Sequence, residues 1–245
     1  MTYRIIGMIP ARYGSSRFPG KPLVEISGKS LIQRTYENAQ RCKLLQEIYV
    51  ATDDDRIFSH VEEFGGKAIM TSSNCPTGTE RLAEAIHLNF KNVDMIINIQ
   101  GDEPLLEPYV IQKVGEILIN DQSAVMSTAA VKISTEEEAL SRSVNKCVID
   151  AHGNALYFSR SLIPGGHSGK WEPDTTYYKH LGIYGYRKDF LFHYAELETT
   201  PLQLAEDLEQ LKVLEHGFKI KVAVVDSHSI GVDTPEDLIK VERKL

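Results

Sequence analysis

Cysteine is scarce in this chain of 245 residues, which has only Cys42, Cys75 and Cys147. No two of them form a Cys-x-x-Cys pair, so neither a redox dithiol nor a zinc pattern is present. Three free, reduced and mostly buried thiols are expected, which fits a reducing compartment. No run of about 18 apolar residues occurs, which excludes a helical membrane span. Residues 1–6 include a short apolar stretch but lack the long apolar core and small-residue cleavage site of a signal peptide, so a cytoplasmic location is the expectation. An excess of positive charge is also missing: 27 Lys and Arg against 34 Asp and Glu leave a net charge of -7. Nucleic acid is therefore not an expected partner, although a small anionic ligand needs only a local basic pocket. Two familiar phosphate loops are absent. Gly-x-x-x-x-Gly-Lys-[Ser/Thr] would need a hydroxyl where Pro22 stands, and there is no Gly-x-Gly-x-x-Gly. No Ser/His/Asp or Cys/His arrangement is visible.

What is present suits one large α/β domain, or one with a small inserted lobe: 42% of residues are hydrophobic and 25% charged. Strand-like and helix-like stretches alternate through the first half. Residues 4–9, 47–52, 67–70 and 95–100 read as strands. Residues 31–44, 80–90 and 109–119 read as helices, as does the stretch opened by Asp53-Asp54-Asp55 and closed by Gly65-Gly66. Ser30 stands at an N-cap position. This alternation predicts a mostly parallel sheet with helices on both faces, whose ligands bind beyond the carboxyl ends of the strands. In the second half, residues 147–149 and 156–158 read as a hairpin around Asp150-Ala151-His152-Gly153-Asn154. Residues 164–174 read as a flexible loop and 182–186 as a strand. Residues 202–217 read as a single amphipathic helix with Leu204, Leu208, Leu211 and Leu214 on one face and Gly217 as its C-cap. A last strand over 219–225 precedes a last helix over 235–244.

Four constellations could carry chemistry. The first, Pro10-Ala11-Arg12-Tyr13-Gly14-Ser15-Ser16-Arg17-Phe18-Pro19-Gly20-Lys21-Pro22, follows the first strand. Its glycines let the backbone bend close to a ligand, and Arg12, Arg17 and Lys21 supply cations, as a triphosphate cradle requires; a solvated basic loop would show the same spacing. The second is Gln100-Gly101-Asp102-Glu103-Pro104 at a strand end, where a carboxylate could meet magnesium and phosphate, although an ordinary charged turn also suits Gly-Asp and Pro. The third is Gly231-Val232-Asp233-Thr234-Pro235-Glu236-Asp237. Capping of the last helix explains Thr234 and Pro235 and leaves Asp233 available as a second metal carboxylate. The fourth, Thr77-Gly78-Thr79-Glu80-Arg81, opens a helix, and its N-terminus could face an anion or a base carbonyl or simply be capped. His180 precedes a strand; a lone histidine is more often structural than catalytic.

In their order along the chain these segments resemble the 3-deoxy-manno-octulosonate cytidylyltransferase (CMP-KDO synthetase) family. The resemblance extends over Val50-Ala51-Thr52-Asp53, Ala155-Leu156-Tyr157-Phe158-Ser159-Arg160, Lys179-His180-Leu181-Gly182-Ile183-Tyr184 and Leu208-Glu209-Gln210-Leu211. It runs from Arg4 to about Leu245.

The resemblance implies a nucleotide-diphospho-sugar transferase-like three-layer sandwich with a mixed, mostly parallel sheet and a small β-rich dimerisation and substrate lobe. It implies one domain over residues 1–245, with a nucleotide-binding half over about 1–130, a sugar-binding and dimer lobe over about 131–200 and a C-terminal return over 201–245. The implied substrates are CTP and the sugar acid, with Mg2+ as cofactor and a homodimer as assembly. Arg12, Lys21 and Asp102 would be catalytic. Ala11, Arg12, Gly14, Ser15, Lys21, Gly78, Thr79, Arg81 and Gln100 would hold the nucleotide. Arg160, His180, Tyr184, Glu209 and Gln210 would line the sugar-acid pocket, and Asp102 and Asp233 would hold magnesium. The chain departs from the common family pattern at Ser141-Arg142-Ser143-Val144-Asn145-Lys146, Thr77, Gln203, Asp207 and Lys212. A cytidylyltransferase for a related acid sugar, an 8-amino analogue or a sialic-acid-like one, is therefore a second reading. A glycosyltransferase of similar fold would carry an Asp-x-Asp that Asp102-Glu103-Pro104 does not supply. A catalytically silent nucleotide-binding protein would not need Arg12, Lys21, Asp102 and Asp233 together.

Overall fold

The computed structural model describes residues 3–14, 18–167 and 169–245. Strand β1 (Ile5–Ala11) leads through a single 3-10 turn (Lys21–Leu23) to the small hairpin β2 (Glu25–Ile26) and β3 (Lys29–Ser30). Then come α1 (Leu31–Gln40), β4 (Glu47–Thr52), α2 (Asp55–Glu63), β5 (Ala68–Met70), α3 (Gly78–Asn89), β6 (Met95–Ile99) and α4 (Pro108–Asn120). The second half comprises β7 (Met126–Lys132), α5 (Glu136–Leu140), β8 (Lys146–Ile149), β9 (Ala155–Ser159), β10 (Tyr178–Arg187) and α6 (Lys188–Glu196). It ends with α7 (Pro201–Glu206), α8 (Leu211–Glu215), β11 (Ile220–Val225) and α9 (Pro235–Glu242).

Helix starts follow capping chemistry. Ser30 accepts from the Gln33 amide at 3.2 Å and Asp54 from the Arg56 amide at 3.0 Å. Thr234 and Asp237 close a reciprocal box around the start of α9, with Pro235 in its first turn. The main sheet runs β11-β7-β10-β6-β1-β4-β5. β1 pairs in parallel with β4 and β6, β4 with β5, and β11 with β7. On that path β10 alone runs the other way, between β6 and β7.

The period-two alternation of β1 builds the layers. Ile5, Ile9 and Ala11 pack with Ile32, Tyr36, Ile57, Val61 and Val114 from α1, α2 and α4. Ile6 and Met8 pack on the other face with Leu82, Ile86, Leu191 and Leu211 from α3, α6 and α8. Helices thus cover both faces of a mixed, mostly parallel sheet. Burying each such side chain contributes roughly 2 kcal/mol, so β1, enclosed on both faces, is a rigid base for the loop that follows it.

A small lobe branches from β10, whose Tyr178 and Lys179 pair with β8 as well as β7. The expected β8–β9 hairpin is present, its turn held by Asp150 Oδ1, which accepts from the His152 and Asn154 amides at 2.8 Å each. At its base the fully buried Lys146 donates to the carbonyls of Ser141, Val144 and Arg160 at 2.8, 2.7 and 2.7 Å. The described part of residues 164–174 has no helix or strand, but Trp171 stacks on Tyr177 with centroids 4.6 Å apart.

The single helix expected over 202–217 is instead two. α7 ends at Glu206, Asp207 adopts a left-handed backbone with φ 53°, and α8 starts at Leu211. Leu208 and Leu211 are buried, but Leu204 is 71% exposed, so the leucine stripe does not form one face. Arg160 captures two carbonyls at the break: its Nε donates to Glu206 O at 2.9 Å and its Nη2 to Asp207 O at 3.2 Å. Such a tertiary contact leaves no trace in leucine spacing. Gly217, with φ 83°, does close the second helix, where the Phe218 amide reaches back to Val213 O at 3.1 Å. All three cysteines are free, Cys42 and Cys147 buried. Among the described residues no helix is long and apolar enough to cross a membrane.

Candidate active site

The carboxyl ends of β1, β4 and β6 lie along one edge of the sheet, because these strands are parallel neighbours. A cavity of about 410 Å³ opens there, and its wall includes Ala11, Arg12, Lys21, Gly78, Arg81 and Gln100. Asp102, Asp207, Glu209 and Asp233 complete it on the acidic side. The chemically unusual loops of the sequence therefore meet at one place.

The cradle after β1 is shaped by Tyr13 and Gly20. The Gly20 amide donates to Tyr13 O at 2.9 Å, and Gly20 sits at φ 70°. A side chain there would come within 3.1 Å of the Tyr13 ring. The Arg56 guanidinium covers that ring at 3.3 Å from its centroid while bonding Asp54. Arg12 and Gly14 are exposed; Ser15 and Arg17 lie outside the described residues.

Lys21 reaches from its 3-10 turn to the second and third constellations. Its Nζ donates to Asp102 Oδ2 at 2.6 Å and to Val232 O at 2.8 Å, and stands 3.9 Å from Asp233 Oδ1. Gly101 permits this convergence, since a side chain there would approach Pro10 O at 3.2 Å. Burial lifts the neighbouring Glu103 carboxyl to about 7, against a hydrogen bond from Ser229.

At the start of α3 the Thr77 hydroxyl accepts from the Thr79 amide at 3.2 Å, so this helix is capped, and Gly78 faces the cavity. Thr79 is buried and donates to Glu209 Oε2 at 3.1 Å. Arg81 is held from behind: Nη1 donates to Thr71 Oγ1 at 2.6 Å and Nη2 pairs with Asp53 at 3.1 Å. Gln100 donates through Nε2 to Asn98 Oδ1 at 3.2 Å.

Of the five residues expected at the sugar acid, Glu209 alone lines the cavity. It accepts from Thr79 and from the Tyr194 hydroxyl at 3.2 Å. Burial pushes its carboxyl up, opposed by the Thr79 hydrogen bond. The other four form an adjoining layer. Tyr184 donates to Gln210 Oε1 at 3.3 Å, and Gln210 Nε2 is buried without a hydrogen-bond partner among the described residues. Burial takes the Tyr184 hydroxyl well above its usual range and the His180 imidazole down to about 3, so both are neutral at pH 7. His180 Nε2 meets Thr128 Oγ1 at 2.9 Å. Arg160 grips the backbone at Asp207, which does line the cavity.

Residues 6–220 match the family model described as Cytidylyltransferase. The 3-deoxy-manno-octulosonate cytidylyltransferase of Protochlamydia amoebophila is 56% identical over 247 residues, covering 100% of this chain and 95% of that one. The chain belongs to the 3-deoxy-manno-octulosonate cytidylyltransferase family. The mitochondrial enzyme of that name from Arabidopsis thaliana is 52% identical over 239 residues, covering 98% of this chain and 82% of the relative. A solved CMP:2-keto-3-deoxy-manno-octonic acid synthetase complexed with CTP superposes with a TM-score of 0.92 at 41% identity, covering 98% of each chain. The chain is thus a nucleotidyltransferase with the fold its sequence implied.

Within this cytidylyltransferase, sequence reasoning gave no role to Asp53, Tyr194 or Lys212. Asp53 stands in a quoted motif, and its position one residue beyond β4 could have flagged it. Tyr194 and the buried Lys212, whose ammonium lies 4.0 Å over the Tyr194 ring and 3.4 Å from Glu80, come from different helices; Tyr194 carries no pattern, and Lys212 shows only as a departure from the family's.

Proposed function

We propose that this cytidylyltransferase joins CTP to 3-deoxy-manno-octulosonate, releasing pyrophosphate and giving the CMP-sugar used for lipopolysaccharide synthesis. One observation carries the reading: two aspartates from separate loops, Asp102 after β6 and Asp233 just before α9, converge on a single cationic group, Lys21 Nζ, inside the cavity. Among the described residues no cluster of three or more His, Cys, Asp or Glu could enclose a metal. A pair of carboxylates suits magnesium, which keeps waters and takes phosphate oxygens from its substrate. Asp102 and Asp233 would hold it. Bound there, magnesium supplies charge to the α-phosphate and lowers the pKa of the attacking hydroxyl.

The sugar's anomeric oxygen attacks the α-phosphorus, and the bond from that phosphorus to the pyrophosphate oxygen breaks in line. The protein's contribution is position and charge. Lys21 exchanges Asp102 for phosphate oxygens, and with Arg12 neutralises the triphosphate beside the backbone of Ala11 and Gly14. Gly78, Thr79, Arg81 and Gln100 surround the cytidine, with Arg81 kept in place by Asp53 and Thr71. Glu209 meets sugar hydroxyls, backed by its neighbour Gln210 and by Arg160, His180 and Tyr184 from the lobe over about 131–200. A homodimer and a cytoplasmic location belong to the same reading; light scattering at twice the chain mass tests the first.

The test is pyrophosphate release with CTP, magnesium and the octulosonate. Turnover is expected, and Asp102→Asn should lower it by about 10²-fold, the size of losing one main electrostatic stabiliser. Near-native turnover in that variant removes the metal assignment. Asp207 on the cavity wall favours one second reading, a related sugar such as the 8-amino analogue; turnover with that analogue alone would select it. CTP binding with no release from any sugar acid would mark a silent relative.

A further inference from the structure

We propose that Glu103 and Glu107 are positioning residues that aim Asp233, by fastening the segment between β11 and α9 onto the turn that follows β6. The inference rests on the magnesium seat proposed above.

Topology creates the need. β11 lies three places from β6 in the sheet. To bring Asp233 beside Asp102, the chain must cross the ends of β7 and β10, a span of about 14 Å at roughly 4.8 Å per strand. Residues 226–234 make that crossing without helix or strand. A side chain on such a segment points only where its fastenings send it.

The fastenings follow one another along the crossing. The Tyr109 hydroxyl donates to Asp226 O. Ser227 Oγ donates to Glu107 Oε2, and the His228 amide to Glu107 Oε1 at 3.1 Å. Ser229 Oγ donates to Glu103 Oε2 at 2.6 Å, and the Val232 amide to Asp102 O at 2.8 Å. These five fastenings all come from the stretch of chain between Asp102 and Tyr109; Lys21 and Lys244 add bonds to the Val232 and His228 carbonyls, and Asp237 accepts from the Asp233 and Thr234 amides. Gly231 lets the segment lie flat, because a side chain there would stand 3.0 Å from Glu103 Oε1. Glu107 accepts from a neutral hydroxyl and a neutral amide, and such bonds to a carboxylate are about twice as strong as neutral ones. Neither glutamate lines the cavity, so substrate contact does not account for them.

The experiment measures metal uptake as well as rate. Water-proton relaxation by Mn2+ in the presence of CTP is followed for the native protein, Ser229→Ala, Ser229→Thr and Glu103→Gln. The native protein should bind the ion. Ser229→Ala should need about 10-fold more Mn2+ for half-saturation, the lower end for disturbing a group behind a metal ligand. Ser229→Thr, which keeps the hydroxyl, should restore binding, and Glu103→Gln should fall between. Amide exchange over 226–234 should quicken in Ser229→Ala, while its KM for CTP at saturating metal stays native. Should Ser229→Ala fold poorly, Ser227→Ala removes the half-buried hydroxyl fastening to Glu107 and is held to the same outcomes. Unchanged Mn2+ affinity in Ser229→Ala, with or without faster exchange, overturns the inference alone. A native protein that takes up no Mn2+ with CTP overturns the seat itself.

Discussion

His180 shows how a neutral buried side chain makes stability depend on pH. Burial holds its imidazole down to about 3, whereas an unfolded histidine titrates near 6.5. Between those values the unfolded chain binds the extra proton, so the stability His180 supplies is complete above about 6.5 and is lost as pH falls toward 3. Glu103, raised to about 7, acts with the opposite sign, since its folded form takes up a proton first. The test is therefore a difference. Between pH 7 and pH 5, urea denaturation should show the native protein losing more stability than His180→Gln; equal losses would mean that the buried imidazole is not what titrates. Glu47, held down to about 2 by Lys67, Arg4 and Tyr49, supplies stability that is complete above about 4.5 and is lost as pH falls toward 2, outside the window of this test. At this scale the sequence was most legible where a residue's chemistry is unusual for its place. Arg12 and Asp102 announce themselves as charges just past strands, Lys21 as a cation in a glycine-bearing basic loop, and Asp233 as an acid that the capping of α9 leaves over. Glu103 and Tyr194 do not, because what they do is hold other side chains.

Elements with a strong period could be read along the chain, and those without one could not. β1, β4 and β6 are short apolar runs, and α1 and α9 carry their capping residues at the start. β7 went unread: Met126-Ser127-Thr128-Ala129-Ala130-Val131 is small and weakly apolar, yet its first six residues are buried. The break between α7 and α8 was invisible because Arg160 supplies it from 46 residues away. The base of the lobe depends on a similarly hidden device, the buried Lys146 and its three carbonyls. Lys146→Met would fill the space but leave those carbonyls unpartnered. A loss of about 3 kcal/mol is expected, from the cost of orphaned buried acceptors. Equilibrium denaturation measures it, and a loss below about 1 kcal/mol, the worth of one ordinary hydrogen bond, would mean that the carbonyls find water.

For the whole molecule, ligand and fold are linked by mass action. With magnesium present, CTP at a hundredfold excess over its Kd should stabilise the folded chain by about 2.7 kcal/mol. For a chain of this length that raises Tm by roughly 5–10 °C. Lys21→Ala should remove most of the shift in differential scanning fluorimetry. A full shift in that variant would show that the triphosphate is held elsewhere.

Strand order sets a timetable for the growing chain. β4, β5 and β6 can assemble on β1 as soon as they are made, but both neighbours of β7 come later in the chain. β7 ends at Lys132 and its first partner, β10, begins at Tyr178. At about 5–20 residues per second, the ribosome leaves β7 unpaired and the outer edge of β6 bare for several seconds. An uncovered apolar edge is a template for wrong pairing. The first 130 residues should therefore not mature as a separate unit, although they supply most of the cavity wall. Substitutions in the lobe that delay β10 should lower the yield of folded protein in cells before they alter the rate of any molecule that has folded.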